Sequence, residues 1–369
     1  SLNRNFDGQL QADMSAPGNA QADAVAEIIQ RVNPDVLLLN EFDYDANGVA
    51  LQGFIDNYLA VPHGDAAPIT DYDYTFIAES NTGIHSGFDL DNNGIIDTNA
   101  SPFNFDYAND AFGFGWFPGQ FGMAVLSRYP IDEAAVRTFQ RFLWKDMPGA
   151  LLPDDPATPE PADWYSPEEL EVVRLSSKSH WDIPIMVDGR TVHLLASHPT
   201  PPVFDGPEDR NGARNYDEIR LWADYIDPSR SGYIYDDAGA RGGLGEAARF
   251  IIAGDLNADP VDGDSSGNAI GQLLQHPLVD ASCVPLSKGA EEASALQAGK
   301  NLEQKGNPAA DTADFNDQYT GNMRIDYVLP SRTLKIIGCG VFWPASGEPG
   351  HDLIGVSDHR LVWLDIDTG

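Results

Sequence analysis

The chain has 369 residues, with 22 Lys+Arg against 57 Asp+Glu and a formal net charge of −35. A field this negative repels a polyanion before contact, which disfavours a long basic track for a nucleic-acid backbone, although a local basic pocket can survive. With 42% hydrophobic and 10% aromatic residues the chain can bury a large core, so global disorder is excluded.

After a polar start, Val25, Ile28, Ile29 and Val32 recur at helical spacing behind Asn19, and Pro34 ends the pattern. This predicts an amphipathic helix capped by Asn19. The apolar run 35–41 follows, a strand buried on both faces that ends in the carboxylate of Glu41. Residues 44–120 are rich in Gly, Asp, Asn, Phe and Tyr with little periodicity, and are read as a long ordered insertion. A strand returns at 122–127. Residues 145–180 open on a proline-rich stretch, Pro148 to Pro167, and form a second surface excursion. Then come a strand at 192–198, a helix from about Asn215, and a third buried strand at 250–253 running into Gly254-Asp255-Leu256-Asn257. Strands at 324–329 and 361–364 are separated by Ser357-Asp358-His359.

No apolar run reaches the roughly 18 residues of a membrane helix. The two cysteines, Cys283 and Cys339, exclude a cysteine-rich scaffold and leave either one disulfide or two buried thiols. The chain opens at Ser1 without a basic segment leading into an apolar one, which fits a mature secreted protein or a trimmed chain. Together with the acidity and a candidate calcium loop, this sets an extracellular location as the expectation.

Polar residues able to bind metal or move protons sit just past the ends of apolar strands, where catalytic groups are usually mounted. They are Glu41, His198, Asp255 with Asn257, Asp326, and Asp358 with His359. Two histidines and several carboxylates without thiolates describe a site for a hard cation such as Mg2+ or Mn2+. His193, an odd number of residues from His198 on the same strand, points to the opposite face and is structural.

In this order, Asn40-Glu41-Phe42, Ser197-His198-Pro199, Gly254-Asp255-Leu256-Asn257, Arg324-Ile325-Asp326-Tyr327 and Ser357-Asp358-His359 resemble the endonuclease/exonuclease/phosphatase superfamily, whose fold is that of pancreatic deoxyribonuclease. Each motif is weak alone, but five in sequence cover nearly the whole chain. The resemblance implies an α/β fold, a four-layer α-β-β-α sandwich of two packed mixed sheets flanked by helices. It implies one domain over 1–369, with insertions at about 44–120 and 145–180. It also implies divalent-metal-dependent hydrolysis of a phosphate ester. In that reading Glu41 and Asp358 hold the metal, and His359 contacts the scissile phosphate with its ring oriented by Asp326. Asp255 orients or deprotonates the attacking water, Asn257 positions Asp255 and the phosphate, and His198 donates to a phosphate oxygen or the leaving group. Whether His359 acts as an imidazolium or as a neutral base stays open. Family members normally begin with a strand ending in an Asn that lines the metal site. Here no apolar strand precedes Asn3 or Asn5, so either that strand lies upstream of Ser1 or one of these residues replaces it.

Two further segments invite a role. Arg210 and Arg214 follow His198 closely in a lysine-poor chain and are candidate clamps for a substrate phosphate. The run 89–97 sets Asp89, Asp91, Asn93 and Asp97 at loop positions 1, 3, 5 and 9, with Gly94 for the sharp turn and the Ile95 carbonyl at 7. Position 12 is Ala100, so a structural Ca2+ needs a carboxylate from another segment. The expected substrate is a small phosphomonoester or phosphodiester. The alternatives are a secreted nuclease and a non-catalytic calcium-dependent binding protein on the same fold. Oligomeric state is not readable.

Overall fold

The structure, a computed structural model, describes residues 1–369. The first helical layer is built as its patterning demands. In α2 (Ala20–Val32) the Asn19 side chain accepts the Ala22 N–H at one end, and Asn33 in the left-handed region closes the other. Ala22, Ala26 and Ile29 pack with Leu10 and Met14 of α1 (Gln9–Met14) and with Ala50, Leu51 and Phe54 of α3 (Val49–Phe54). Together they cover one face of the sheet that contains β1 (Val36–Asn40), β2 (Tyr74–Phe76) and β3 (Met123–Ser127), ordered β1-β3-β2.

Strand alternation then divides β1. Leu37 and Leu39 face the helices, whereas Val36 and Leu38 face a second sheet. That sheet runs β10-β7-β6-β5-β4, from β4 (Arg137–Thr138), β5 (His180–Val187), β6 (Arg190–Ser197), β7 (Phe250–Asp255) and β10 (Asp326–Pro330). It is mixed: β6 and β7 are parallel and the other neighbours antiparallel. Between the sheets lie Met123, Val125, Trp181, Ile183, Ile185, Leu194, Ala196 and Ala253. The outer face of the second sheet, through Leu195, Ile252 and Leu329, is covered by α6 (Arg210–Tyr225) with Ile219, Leu221 and Trp222. Helices, sheet, sheet and helices make the four layers.

Two short pairs complete the strands: β8 (Ala313–Asp314) with β9 (Asn322–Met323), and β11 (Lys335–Val341) with β12 (Val362–Asp367). A disulfide joins Cys283 to Cys339, which removes the alternative of two free thiols. No helix is long and apolar enough to cross a membrane.

Both long excursions do more than decorate the surface. Segment 44–120 supplies α3, β2 and the buried Tyr58, Leu59, Ile69 and Tyr72 to the first core. Segment 145–180 sends Met147, Tyr165, Val173 and Leu175 into the core under α6 and leads directly into β5. Scattered aromatics in a Gly- and Pro-rich background carry no periodicity, yet Tyr58, Tyr72 and Tyr165 are buried in the two cores.

Candidate active site

Strand pairing brings the distant motifs together. Asp255 ends β7 and Asp326 begins β10, and antiparallel register sets them directly opposite each other. The parallel pairing of β6 with β7 carries His198 out beside Asp255. Here Gly254 is required, because a Cβ at that residue would fall 1.9 Å from the Ser197 carbonyl oxygen. Only glycine lets the two backbones close on the pair of side chains.

A chain of four groups results. His359 Nδ1 lies 3.1 Å from each carboxylate oxygen of Asp326. Its Nε2 is 3.6 Å from Asp255 Oδ2, and His198 Nε2 approaches the same oxygen at 3.3 Å. Asp326 is held in turn by the Thr312 hydroxyl, which donates to it at 2.8 Å. Burial alone would lower the pKa of His359, but Asp326 and Asp255 outweigh it and lift the ring to about 10. Against its own burial, Asp255 is drawn down to about 2 by His359 and His198. His359 is therefore an imidazolium at neutral pH, and Asp255 stays ionised between two rings. Asn257 supports the pair from both sides: its N–H donates to Asp255 Oδ1 at 2.9 Å and its side chain donates to the Pro199 carbonyl at 3.0 Å.

Glu41 follows β1 with φ 54, a turn that directs the chain away from the strand. Asn3 donates from Nδ2 to Glu41 Oε2 at 2.9 Å, and the Leu2 N–H donates to the Glu41 carbonyl at 2.8 Å. Residues 2–4 thus lie against 41–43 without forming a regular strand, and of the two candidate asparagines it is Asn3 that reaches Glu41. Asn5 is exposed. On the same wall the buried Asn40 Oδ1 has no hydrogen-bond partner. Glu41, Asn40, Asp255, Asp326 and His359 line one cleft. Asp358 is exposed and reaches only the Ser357 hydroxyl, at 3.5 Å, so it sits outside the compact Asp255, Asp326 and His359 cluster. An orphaned amide oxygen beside a carboxylate, with no thiolate near, fits a hard divalent cation.

The two arginines are corrected by the structure. Their segment is not a loop: the helix expected from Asn215 starts at Arg210, because Asp209 in the left-handed region already redirects the chain. Arg210 is paired with Glu208 and lies over the Trp164 ring. Arg214 donates to the carbonyls of Leu175, Phe112, Arg174 and Ser176. Both guanidiniums tie loops together and are not free to clamp a phosphate. Among the calcium-loop residues, Asp89, Asp91, Asn93 and Ile95 form one turn, whereas Asp97 is held by Asn99 and Asn104.

Lys178 was not singled out from the sequence. It is 7% exposed, and its side chain makes no hydrogen bond or ion pair. Burial lowers its pKa, opposed by the charges of Glu218, Asp255 and Glu41. Glu218 fixes both flanking loops by accepting the N–H groups of Ser177 and Thr200 at 2.7 Å and 2.6 Å. The available signal was a lone lysine, one of six in the chain, directly ahead of the run 181–187.

With this geometry, the comparison with known proteins is decisive: residues 6–359 match the Endonuclease/Exonuclease/phosphatase family. The chain belongs to that family. As a member it is a metal-dependent phosphoric ester hydrolase. The endonuclease/exonuclease/phosphatase of Beutenbergia cavernae shares the fold at 16% identity and a TM-score of 0.50, over 96% of this chain and 68% of that one. A family protein from Leptotrichia buccalis aligns at 16% identity and TM-score 0.45, over 94% and 92% of the two chains. A beta toxin from Staphylococcus aureus aligns at 13% identity and TM-score 0.46, over 99% and 97%. No curated protein matches the sequence significantly.

Proposed function

We propose that this member of the family hydrolyses a small phosphomonoester or phosphodiester by in-line attack of water. The observation that carries the reading is the chain of contacts Asp326, His359, Asp255 and His198, whose first three members share one cleft with Glu41.

Glu41 would hold Mg2+ or Mn2+, with Asn40 Oδ1 available as a further oxygen donor, whereas Asp358 as placed could reach such an ion only through water. The cation supplies Lewis-acid neutralisation of phosphate oxygens. His359, oriented through Nδ1 by Asp326, presents a charged N–H toward the oxygens that gain charge in the transition state. Lys178, when protonated, would add a second positive charge, although burial lowers its pKa and so favours the neutral amine. Asp255 is too weak a base to hold a proton, and it orients the attacking water while Asn257 keeps it in place. His198 completes the wall with a hydrogen bond for a phosphate or leaving-group oxygen.

The net charge of −35 favours small esters over polynucleotides, since a long polyanion meets repulsion along its whole length. The disulfide between Cys283 and Cys339 supports an extracellular location, because such bonds persist in oxidising compartments. The test is a panel of mono-, di- and polynucleotide esters with Mg2+, Mn2+ or Ca2+ at moderate salt. Faster turnover of the small esters supports this reading. Preferential cutting of DNA or RNA makes the protein a nuclease.

A further inference from the structure

The insertion between β2 and β3 holds a second group of carboxylates, separate from the cleft. One oxygen each from Asp89, Asp91 and Asp110 lies within 4.8 Å of the other two. Asp89 and Asp91 come from a turn whose sharp bend needs Gly94, at φ 82. Asp110 arrives from elsewhere, at the C-terminal end of the short helix Phe105–Asn109. Its side chain is fully buried, yet it turns inward on the two others. One oxygen accepts the Leu90 N–H at 2.7 Å, and the other, Oδ2, has no partner at all.

Nothing on the protein balances these charges. Between Arg31 and Arg128 the chain contains no lysine or arginine. None of Asp89, Asp91, Asp97, Asp106 or Asp110 belongs to an ion pair, although the molecule forms many elsewhere. Burying an ionised carboxylate without a counter-charge is costly, and two more beside it add repulsion. Burial pushes the Asp110 carboxyl up to about 7, so the charge is relieved either by a proton or by a bound cation.

We propose that Asp89, Asp91 and Asp110 bind a structural Ca2+ ion. The donors are oxygens only, and a flexible turn suits the irregular shell of six to eight ligands that calcium takes, whereas magnesium requires a near-ideal octahedron. Asp110 fills the place of the carboxylate that Ala100 cannot supply, while Asp97 is committed to Asn99 and Asn104.

The site is tied through the backbone to the segment that carries Lys178. The Asp110 carbonyl accepts the Ser86 N–H at 2.9 Å, and residues 82 and 85 bridge to 113 and 111. Next, the Asn81 N–H donates to the Lys178 carbonyl at 2.8 Å, and a Cβ on Gly113 would fall 1.8 Å from the Ser177 carbonyl oxygen. Calcium at Asp110 thus braces the segment against which Lys178 is seated.

The test uses the whole chain stripped with chelator, with calorimetric titration of CaCl2 and thermal melts in Ca2+ or equal Mg2+. One Ca2+ should bind per chain outside the cleft, raising the Tm by roughly 3–4 °C at a hundredfold excess over Kd. Asp110→Asn and the milder, half-buried Asp91→Asn should each abolish this shift, while Glu41→Gln should keep it. The idea is overturned if Ca2+ produces no shift in the wild type, if Mg2+ produces the same shift, or if a folded Asp91→Asn protein keeps the wild-type response.

Discussion

His359 places Nδ1 at 3.1 Å from both carboxylate oxygens of Asp326, so the ring is gripped symmetrically by a single carboxylate. Asp326 acts through His359. Asp326→Asn should therefore lower kcat by about a hundredfold with little change in KM. The double variant with His359→Ala should be scarcely worse than His359→Ala alone, as in residues that work as a unit. Additive losses in that cycle would separate the two residues.

Lys178 is held for chemistry at a cost in stability. Lys178 is 7% exposed and its side chain has no partner, so Lys178→Met should stabilise the fold by about 1 kcal/mol while reducing kcat/KM roughly 10²-fold or more. Lys178→Arg should recover part of the activity. Denaturant titration beside steady-state kinetics checks both halves; a destabilised Lys178→Met protein with full activity would make the lysine purely structural.

Asp311 sets a pH dependence away from the cleft. Burial first, then Asp259 and Asp262, raise its carboxyl from 3.8 to about 8. The folded state therefore holds this proton more tightly than the unfolded chain does. Its contribution is complete below the unfolded value of 3.8 and disappears as pH rises through about 8. Asp311→Asn should accordingly change stability little at pH 4 and raise it by about 2 kcal/mol at pH 8 to 9. Melts across that range read the difference, and equal shifts at both ends would contradict it.

Cys283 and Cys339 close a loop with a sequence separation of 56. Replacing both with Ser should cost roughly 3–4 kcal/mol on a chain-entropy estimate, seen as a lower denaturant midpoint. Because neither residue lines the cleft, kcat at a temperature where the variant is folded should stay within about twofold of wild type.

The strand ends that carry the chemistry were readable because buried strands write themselves as unbroken apolar runs, and Glu41, His198, Asp255 and Asp326 each sit next to one. β5 was not, since Asp182 and Pro184 interrupt its pattern; the first is satisfied by His193 at 2.7 Å and by Tyr225 at 2.6 Å, contacts invisible in one dimension. β11 was hidden by Gly338 and Gly340, the second of which makes room for the Trp363 ring. Arg210 and Arg214 misled for the opposite reason: basic residues near a histidine suggest phosphate, but their partners are Glu208 and loop carbonyls brought in by folding. Lys178 and Asn3 matter through where their loops are pinned, by Glu218 and by the Glu41 carbonyl, and spacing encodes neither.

The most direct measurement is release of product from a model phosphodiester by the wild-type chain and by Glu41→Gln, each with and without Mg2+. Turnover should require the cation, vanish with chelator, and fall by about 10³-fold or more in Glu41→Gln at unchanged thermal stability. Metal-independent turnover, or a folded Glu41→Gln protein with wild-type rates, would contradict a cation held at Glu41 in this cleft.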